Sequence, residues 1–164
     1  MDLSFIKELH DEGLCVFADS FDDWKDAIAC AADPLIKKGY IDKGYVEGIY
    51  RNVDLNGFYI FIAPHICLPH CGEFEYVHKK CVSFMKCNKP VIGDENEPEM
   101  GAELFFVLAT ENAGEHIDCL QKLAMILEDE ETINALLAIK NENDLVKLLH
   151  DSSQELLEDS NKHL

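Results

Sequence analysis

Apolar residues recur at two spacings along this chain, and the change from one to the other divides it into a helical start, a sheet-forming middle and a helical end. Leu14 to Ala18 is a short apolar run that reads as a strand. Phe21, Trp24, Ala27, Ile28, Ala31 and Leu35 then fall at threes and fours, which is one face of a helix. Ser20 with Asp23 resembles a capping box at its start, and Gly39 stands where a helix C-terminus favours glycine. Pro34 inside this pattern predicts a kink or a split, since an interior proline costs about 3 kcal/mol in helix propensity. Asp42 offers an N-cap for a second helix running to about Asn52, with Tyr45, Ile49 and Val53 on one stripe.

The spacing shortens after Asn56-Gly57, a turn signal that opens a strand from Phe58 to Ala63. Pro64 and Pro69 punctuate the approach to His70. Cys81 to Cys87 and Glu103 to Ala109 are two more strands, separated by the charged loop GDENEPEMG. From Gly114 the helical period returns through Ile117, Leu120, Leu123, Ala124 and Leu127. Leu136, Leu137, Leu145, Leu148 and Leu149 carry it on in two shorter helices, the last capped by Asn141 with Asp144. The order predicts an α/β fold, a mixed β-sheet sandwiched by α-helices in a single domain of residues 1–150, with 151–164 as a polar helical extension or tail.

Composition narrows the function. The chain has 164 residues, 48% of them apolar, enough for one real core. Fourteen basic residues against thirty-two acidic ones leave a formal charge of −18, which repels a phosphate backbone, so no nucleic acid partner is expected. The N-terminus MDLSFIKELHDE has neither a basic start nor a signal-peptide core, and no apolar stretch is long enough to span a bilayer. A cytoplasmic protein without membrane insertion is expected. Its seven cysteines, an odd number scattered through apolar segments, read as buried thiols in a reducing compartment.

The chemistry gathers in FYIFIAPHICLPHCG. Strand-forming residues deliver His70 to a Cys-Gly turn, with Pro69 stiffening the approach. A neutral imidazole is a good nucleophile toward phosphorus, and one with an ordinary pKa near 6.5 is mostly neutral at pH 7. A backbone carbonyl holding one ring nitrogen would leave the other lone pair free. No glycine-rich phosphate loop is present, so phosphate chemistry needs another device. His116, at the start of the helix after the Glu103 to Ala109 strand, supplies one: a second imidazole beside unpaired backbone donors and a positive dipole end. A zinc site built from His65, Cys67, His70, Cys71, His78 and Cys81 is the competing reading, although these residues do not fall into two separated ligand pairs. A Cys67 or Cys71 nucleophile lacks an orienting partner.

These residues resemble the EIIA components of the sugar phosphotransferase system, of the mannitol/fructose type and in particular its ascorbate branch. The resemblance covers roughly residues 13 to 150 and rests on DPLIKKGYI, YVEGIY, NGFYIFIAPHICLPH, KCVSFMKCNKPV, LATENAGEHI and LAMILEDEETINALL. The segment ending in LPH is the most specific. The resemblance implies that His70 accepts a phosphoryl group from the phosphocarrier HPr and passes it to a cysteine of an EIIB partner, and through it serves a membrane EIIC. His116 would be the histidine that supports the phosphoryl group. It implies no cofactor and no metal, and ascorbate or a related sugar acid or pentitol as the cargo. Ascorbate-type relatives usually read APG-I-A-LPHAR or similar. This chain has His65 for the glycine, Cys67 for a small residue, and Cys71-Gly72 where the arginine-bearing turn would follow. Arg51, the one arginine of the chain, lies roughly where mannitol-type relatives carry an active-site arginine, at a different spacing. An EIIA-like regulatory phosphoprotein is the second reading. Oligomeric state stays open, a homodimer among the options.

Overall fold

Cys81–Val91 and Ala102–Ala109 are the two stretches buried along most of their length, and they pair antiparallel at the centre of a five-stranded sheet. Strands apolar on both faces are stable only where helices cover both sides. The computed structural model describes residues 1–162. In chain order the elements are α1 (Ser4–Asp11), β1 (Cys15–Ala18), α2 (Trp24–Lys37), α3 (Lys43–Asn56), β2 (Phe61–Ala63), β3 (His65–Cys67), β4 (Cys81–Val91), β5 (Ala102–Ala109), α4 (Ala113–Leu127), α5 (Glu130–Ala138) and α6 (Glu142–Lys162). Short 3-10 turns lie at Phe74–Tyr76 and Pro98–Met100. The sheet order is β1-β4-β5-β3-β2. β1 runs parallel to β4 and β3 parallel to β5, whereas β4–β5 and β2–β3 are antiparallel, so the sheet is mixed.

Alternation along β4 assigns the layers. Ser83 donates its hydroxyl to the Ala31 carbonyl at 2.6 Å, which places α2 on that face. Lys86, three positions on and therefore on the opposite face, donates to the Ile139 carbonyl at 2.8 Å, just beyond α5. Phe84 and Phe106 stack across β4 and β5 with ring centroids 5.1 Å apart. The expected α/β architecture of a mixed sheet between helices is the one observed.

Several boundaries differ from the sequence pattern for identifiable reasons. α2 begins at Trp24, because Asp23 and not Ser20 is the N-cap, its side chain accepting from the Lys25 N–H at 2.9 Å. Pro34 does not split α2: Ala31, Ala32 and Leu35 on either side of it are fully buried, and that packing outweighs one lost helical bond. α3 extends to Asn56, and Asp42 makes no capping bond because its carboxylate is held by His78 Nε2 at 2.9 Å. α6 continues past residue 150 to Lys162 without interruption. Its start shows the expected cap, with Asn141 Oδ1 accepting from the Asp144 N–H at 2.9 Å.

Of the single expected strand Phe58–Ala63, only Phe61–Ala63 is strand (β2), preceded by a turn; beyond Pro64 the chain folds back on it as a further three-residue strand, β3. His65 starts β3 with φ 75°, in the left-handed region and without precedent among the other non-glycine residues described. Its Nδ1 lies 3.1 Å from Glu103 Oε1 and its backbone N–H donates to the Gly101 carbonyl at 3.0 Å. The exposed contact to Glu103 is worth less than the backbone strain. His65→Gly should therefore raise unfolding stability by about 0.5–1 kcal/mol in a denaturant titration; a loss of stability would show that Glu103 holds His65 more firmly than this.

Candidate active site

β3 carries the chain toward His70, and the sheet ladder continues past it: the Leu108 N–H donates to the Pro69 carbonyl at 3.0 Å. The next rung is not a direct one. The Cys71 N–H donates to the Tyr45 hydroxyl at 3.2 Å, and that hydroxyl donates to the Leu108 carbonyl at 2.6 Å. A phenol from α3 thus replaces one backbone bond between β5 and the turn, and holds the two chains apart just where His70 emerges. Tyr45 is 1% exposed, and burial raises its pKa, so the group stays a neutral hydroxyl able to donate and accept. Tyr45→Phe leaves a buried N–H and a buried carbonyl unpaired and should cost about 2–4 kcal/mol of unfolding free energy, measured by chemical denaturation. A cost within a few tenths of zero would mean that the rung closes without the phenol.

The rest of the turn lies on the same face of α3. Glu73 accepts from Arg51 Nη2 at 2.6 Å and from Asn52 Nδ2 at 2.9 Å. A Cβ on Gly48 would stand 2.8 Å from Glu73 Oε2 and 3.3 Å from Cys71 Sγ, so a larger residue there would push the Glu73 carboxylate out of its place. Gly44 is equally close to the Tyr76 ring. Tyr45, Gly48 and Asn52 follow one another at helical spacing, which makes α3 the cradle of the histidine turn. Arg51 is thereby brought to this turn, in an ion pair with Glu73.

The His70 ring is oriented from three sides. Its Nδ1 lies 2.6 Å from the Leu68 carbonyl, and a carbonyl only accepts, so Nδ1 carries the proton and Nε2 keeps its lone pair. The Tyr59 hydroxyl donates to the His70 carbonyl, and the Tyr59 ring meets the imidazole edge to face at 5.2 Å. On the other side stands His116, in the first turns of α4, with its ring centroid 5.2 Å from that of His70. Asn112 caps this helix by accepting from the Glu115 N–H at 2.9 Å, and Glu115 in turn accepts from the Glu111 N–H at 2.9 Å. Between β5 and α4, Thr110 Oγ1 is the buried side-chain polar atom without a hydrogen-bond partner among the described residues.

Burial lowers the pKa of both histidines below the ordinary 6.5; at His70 the bond to Leu68 opposes this and the charge of His116 adds to it. Both rings are therefore neutral at pH 7. On acidification through 6.5 the unfolded chain takes up protons before the folded one does, so native stability falls as pH drops toward the lower folded values and does not depend on these groups above 6.5. Melting curves between pH 5 and 8 should show this acid-side loss, reduced in His70→Ala; equal slopes in both proteins would refute it.

The structure thus brings together His70 and His116 and separates the other metal-ligating types. His65 faces Glu103, His78 faces Asp42, and among the described residues no three His, Cys, Asp or Glu side chains converge. Burial pushes the Cys71 thiol up to about 11 and Cys67 well above the ordinary thiol range, which leaves both protonated. Tyr45, Tyr59, Glu73 and Thr110 escaped the sequence reading. The signal for the first was the pair of glycines Gly44 and Gly48 in α3, each of which weakens the helix and so hints at a close approach by another segment.

Residues 8–152 match the family described as the phosphoenolpyruvate-dependent sugar phosphotransferase system, EIIA 2. An ascorbate-specific PTS system EIIA component of Mycoplasma pneumoniae is 29% identical over 127 residues, covering 77% of this chain and 79% of that protein. A mannitol-specific cryptic phosphotransferase enzyme IIA component of Escherichia coli is 28% identical over 131 residues, covering 77% and 85%. The mannitol enzyme IIA of Escherichia coli, solved in complex with its phosphorylated enzyme IIB, superposes with a TM-score of 0.68 at 25% identity over 84% of this chain and 94% of that one.

Proposed function

Because the chain belongs to the EIIA type 2 family of the sugar phosphotransferase system, whose members are phosphotransferases acting through histidine, we propose that His70 is its phosphoacceptor and His116 the group that stabilises the phosphoryl group in transit. The observation that carries this reading is the Nδ1 bond to Leu68, which fixes the tautomer and leaves Nε2 as the nucleophile on a neutral ring. Nε2 attacks phosphorus of the phosphohistidine on HPr. A new N–P bond forms as the old one breaks, and the carrier's nitrogen keeps the bonding pair. In the second half-reaction a cysteine thiolate of EIIB attacks the same phosphorus, and His70 Nε2 recovers its lone pair. Throughout, Nδ1 keeps its proton and donates it to the Leu68 carbonyl. Such transfers depend on alignment and on neutralising the equatorial oxygens, which His116 and the start of α4 serve.

EIIB is the family's partner, as in the mannitol complex, and in this reading the protein works in the cytoplasm and serves a membrane EIIC through that EIIB. Among the described residues no helix is long and apolar enough to cross a membrane. Residues 1–150 act as the EIIA unit in this reading, and 151–162 extend it as the end of α6, residues 163 and 164 lying outside the described ones. The cargo is ascorbate or a related sugar acid or pentitol, in line with the ascorbate-specific relatives. Incubation with phosphoenolpyruvate, Enzyme I and HPr should place one acid-labile phosphate on the chain, and an ascorbate-type EIIB should then remove it. No labelling would sink the phosphoacceptor role; labelling without transfer to that EIIB would sink the cargo.

A further inference from the structure

At the end of the sheet away from His70, one cleft is lined by charge of the opposite sign to the molecule as a whole and to the acidic loop after β4 beside it. Cys81 of β4 pairs with Ala109 of β5, next to the histidine turn, so the other end of β4 and the end of β1 at Ala18 point away from it. There Lys86, Lys89, Lys140, Asn88 and Asp19 line an open cleft of about 450 Å³. In a chain with a formal charge of −18, three ammonium groups against one carboxylate are a local inversion.

Lys86 is the unusual member. It is only 3% exposed, yet among the described residues it makes no ion pair. A buried charge is normally paired, because its desolvation is otherwise uncompensated. Its Nζ donates to the Ile139 carbonyl at 2.8 Å and, at 3.4 Å, to Asn88 Oδ1. Burial lowers the Lys86 pKa, and the charge of Glu103 opposes this from a distance. Capping the carbonyl end of α5 accounts for one of the three ammonium donors. It accounts neither for the remaining donor nor for Lys89 and Lys140 beside it. Lys89 is only loosely engaged, 3.9 Å from Asp19 with both side chains largely exposed. The Asn88 oxygen faces Lys86, so its amide N–H groups are available as well.

We propose that this cleft binds a small phosphate-bearing anion, held by the ammonium groups of Lys86, Lys89 and Lys140 and the amide of Asn88, at the end of the sheet opposite His70. The anion is the counter-charge that Lys86 lacks. Tetrahedral phosphate offers three terminal oxygens to these several donors, and lysine meets phosphate as a point charge. Screening beyond roughly 8 Å at physiological salt weakens the repulsion of the acidic surface, and a direct contact with the buried Lys86 is screened much less. The inference is independent of the role of His70.

The test titrates the whole chain, carbon-13 labelled at its lysines, with inorganic phosphate, pyrophosphate or citrate against sodium chloride of equal ionic strength. Saturable shifts of the Lys86 and Lys89 ε-methylene signals are expected, with pyrophosphate tighter than phosphate and both tighter than citrate. Lys89→Ala/Lys140→Ala, which changes exposed side chains only, should weaken binding at least about tenfold. Lys86→Met, checked for folding by circular dichroism, should abolish it. His70→Ala should bind unchanged. No saturable shift beyond the chloride control, undiminished affinity in the double lysine variant, loss of the shifts in His70→Ala, or equal binding of citrate would overturn the proposal.

Discussion

His70→Ala is expected to lose all acid-labile phosphate in the coupled reaction with phosphoenolpyruvate, Enzyme I and HPr, a fall of at least about 10⁴-fold in transfer rate. Nothing else in the turn can take over. Cys71 and Cys67 are protonated by burial, His65 faces Glu103 on β5, and Tyr59 is engaged with the His70 carbonyl. The variant should remain folded, because the side chain contributes chiefly one hydrogen bond to Leu68, worth about 1 kcal/mol. Radiolabel recovered on the alanine variant at anything near the wild-type level would remove His70 from the mechanism.

His116→Ala is expected to slow phosphoryl transfer by about 10²–10³-fold while leaving the final stoichiometry at one phosphate per chain. The two rings stand 5.2 Å apart, which is room for a phosphoryl oxygen on His70 Nε2 to reach the second imidazole. A dianionic group arriving there favours the protonated form of His116, against the burial that lowers its pKa in the free protein. Rapid-quench measurement of label transfer separates rate from stoichiometry. His116→Gln, which keeps a donor without the charge, should recover part of the loss. A wild-type rate in the alanine variant would reduce His116 to a neighbour of the site.

Arg51 bears on both results. Glu73 holds it in an ion pair at the histidine turn, where the half-exposed guanidinium keeps the pair exchangeable. The sequence has Cys71-Gly72 where an arginine-bearing turn was expected, and the fold brings Arg51 in from α3 to that turn. How the charge near the turn is balanced is therefore a matter of packing between two segments that are distant in sequence.

What the sequence determined by itself is what depends on neighbouring residues. The periods of β4, β5 and α4, the cap at Asn141 and the glycine after α2 are local patterns, and each stands within a few residues of its expected place. Local pattern failed at Phe58–Ala63, where the hydrophobic run suggested one strand. A turn takes its first residues, Pro64 and the left-handed His65 send the chain back beyond it as β3, and pairing with β5 decides the register. Tertiary structure alone decided the surroundings of His70: the Tyr45 hydroxyl spliced into the ladder, Tyr59 on the carbonyl, Glu73 with Arg51, and the buried Lys86 at the far end of the sheet. These are contacts between residues far apart in sequence, set by which faces of helix and sheet must be buried together. A tyrosine or lysine in an amphipathic pattern announces its burial, but not which carbonyl it will find there.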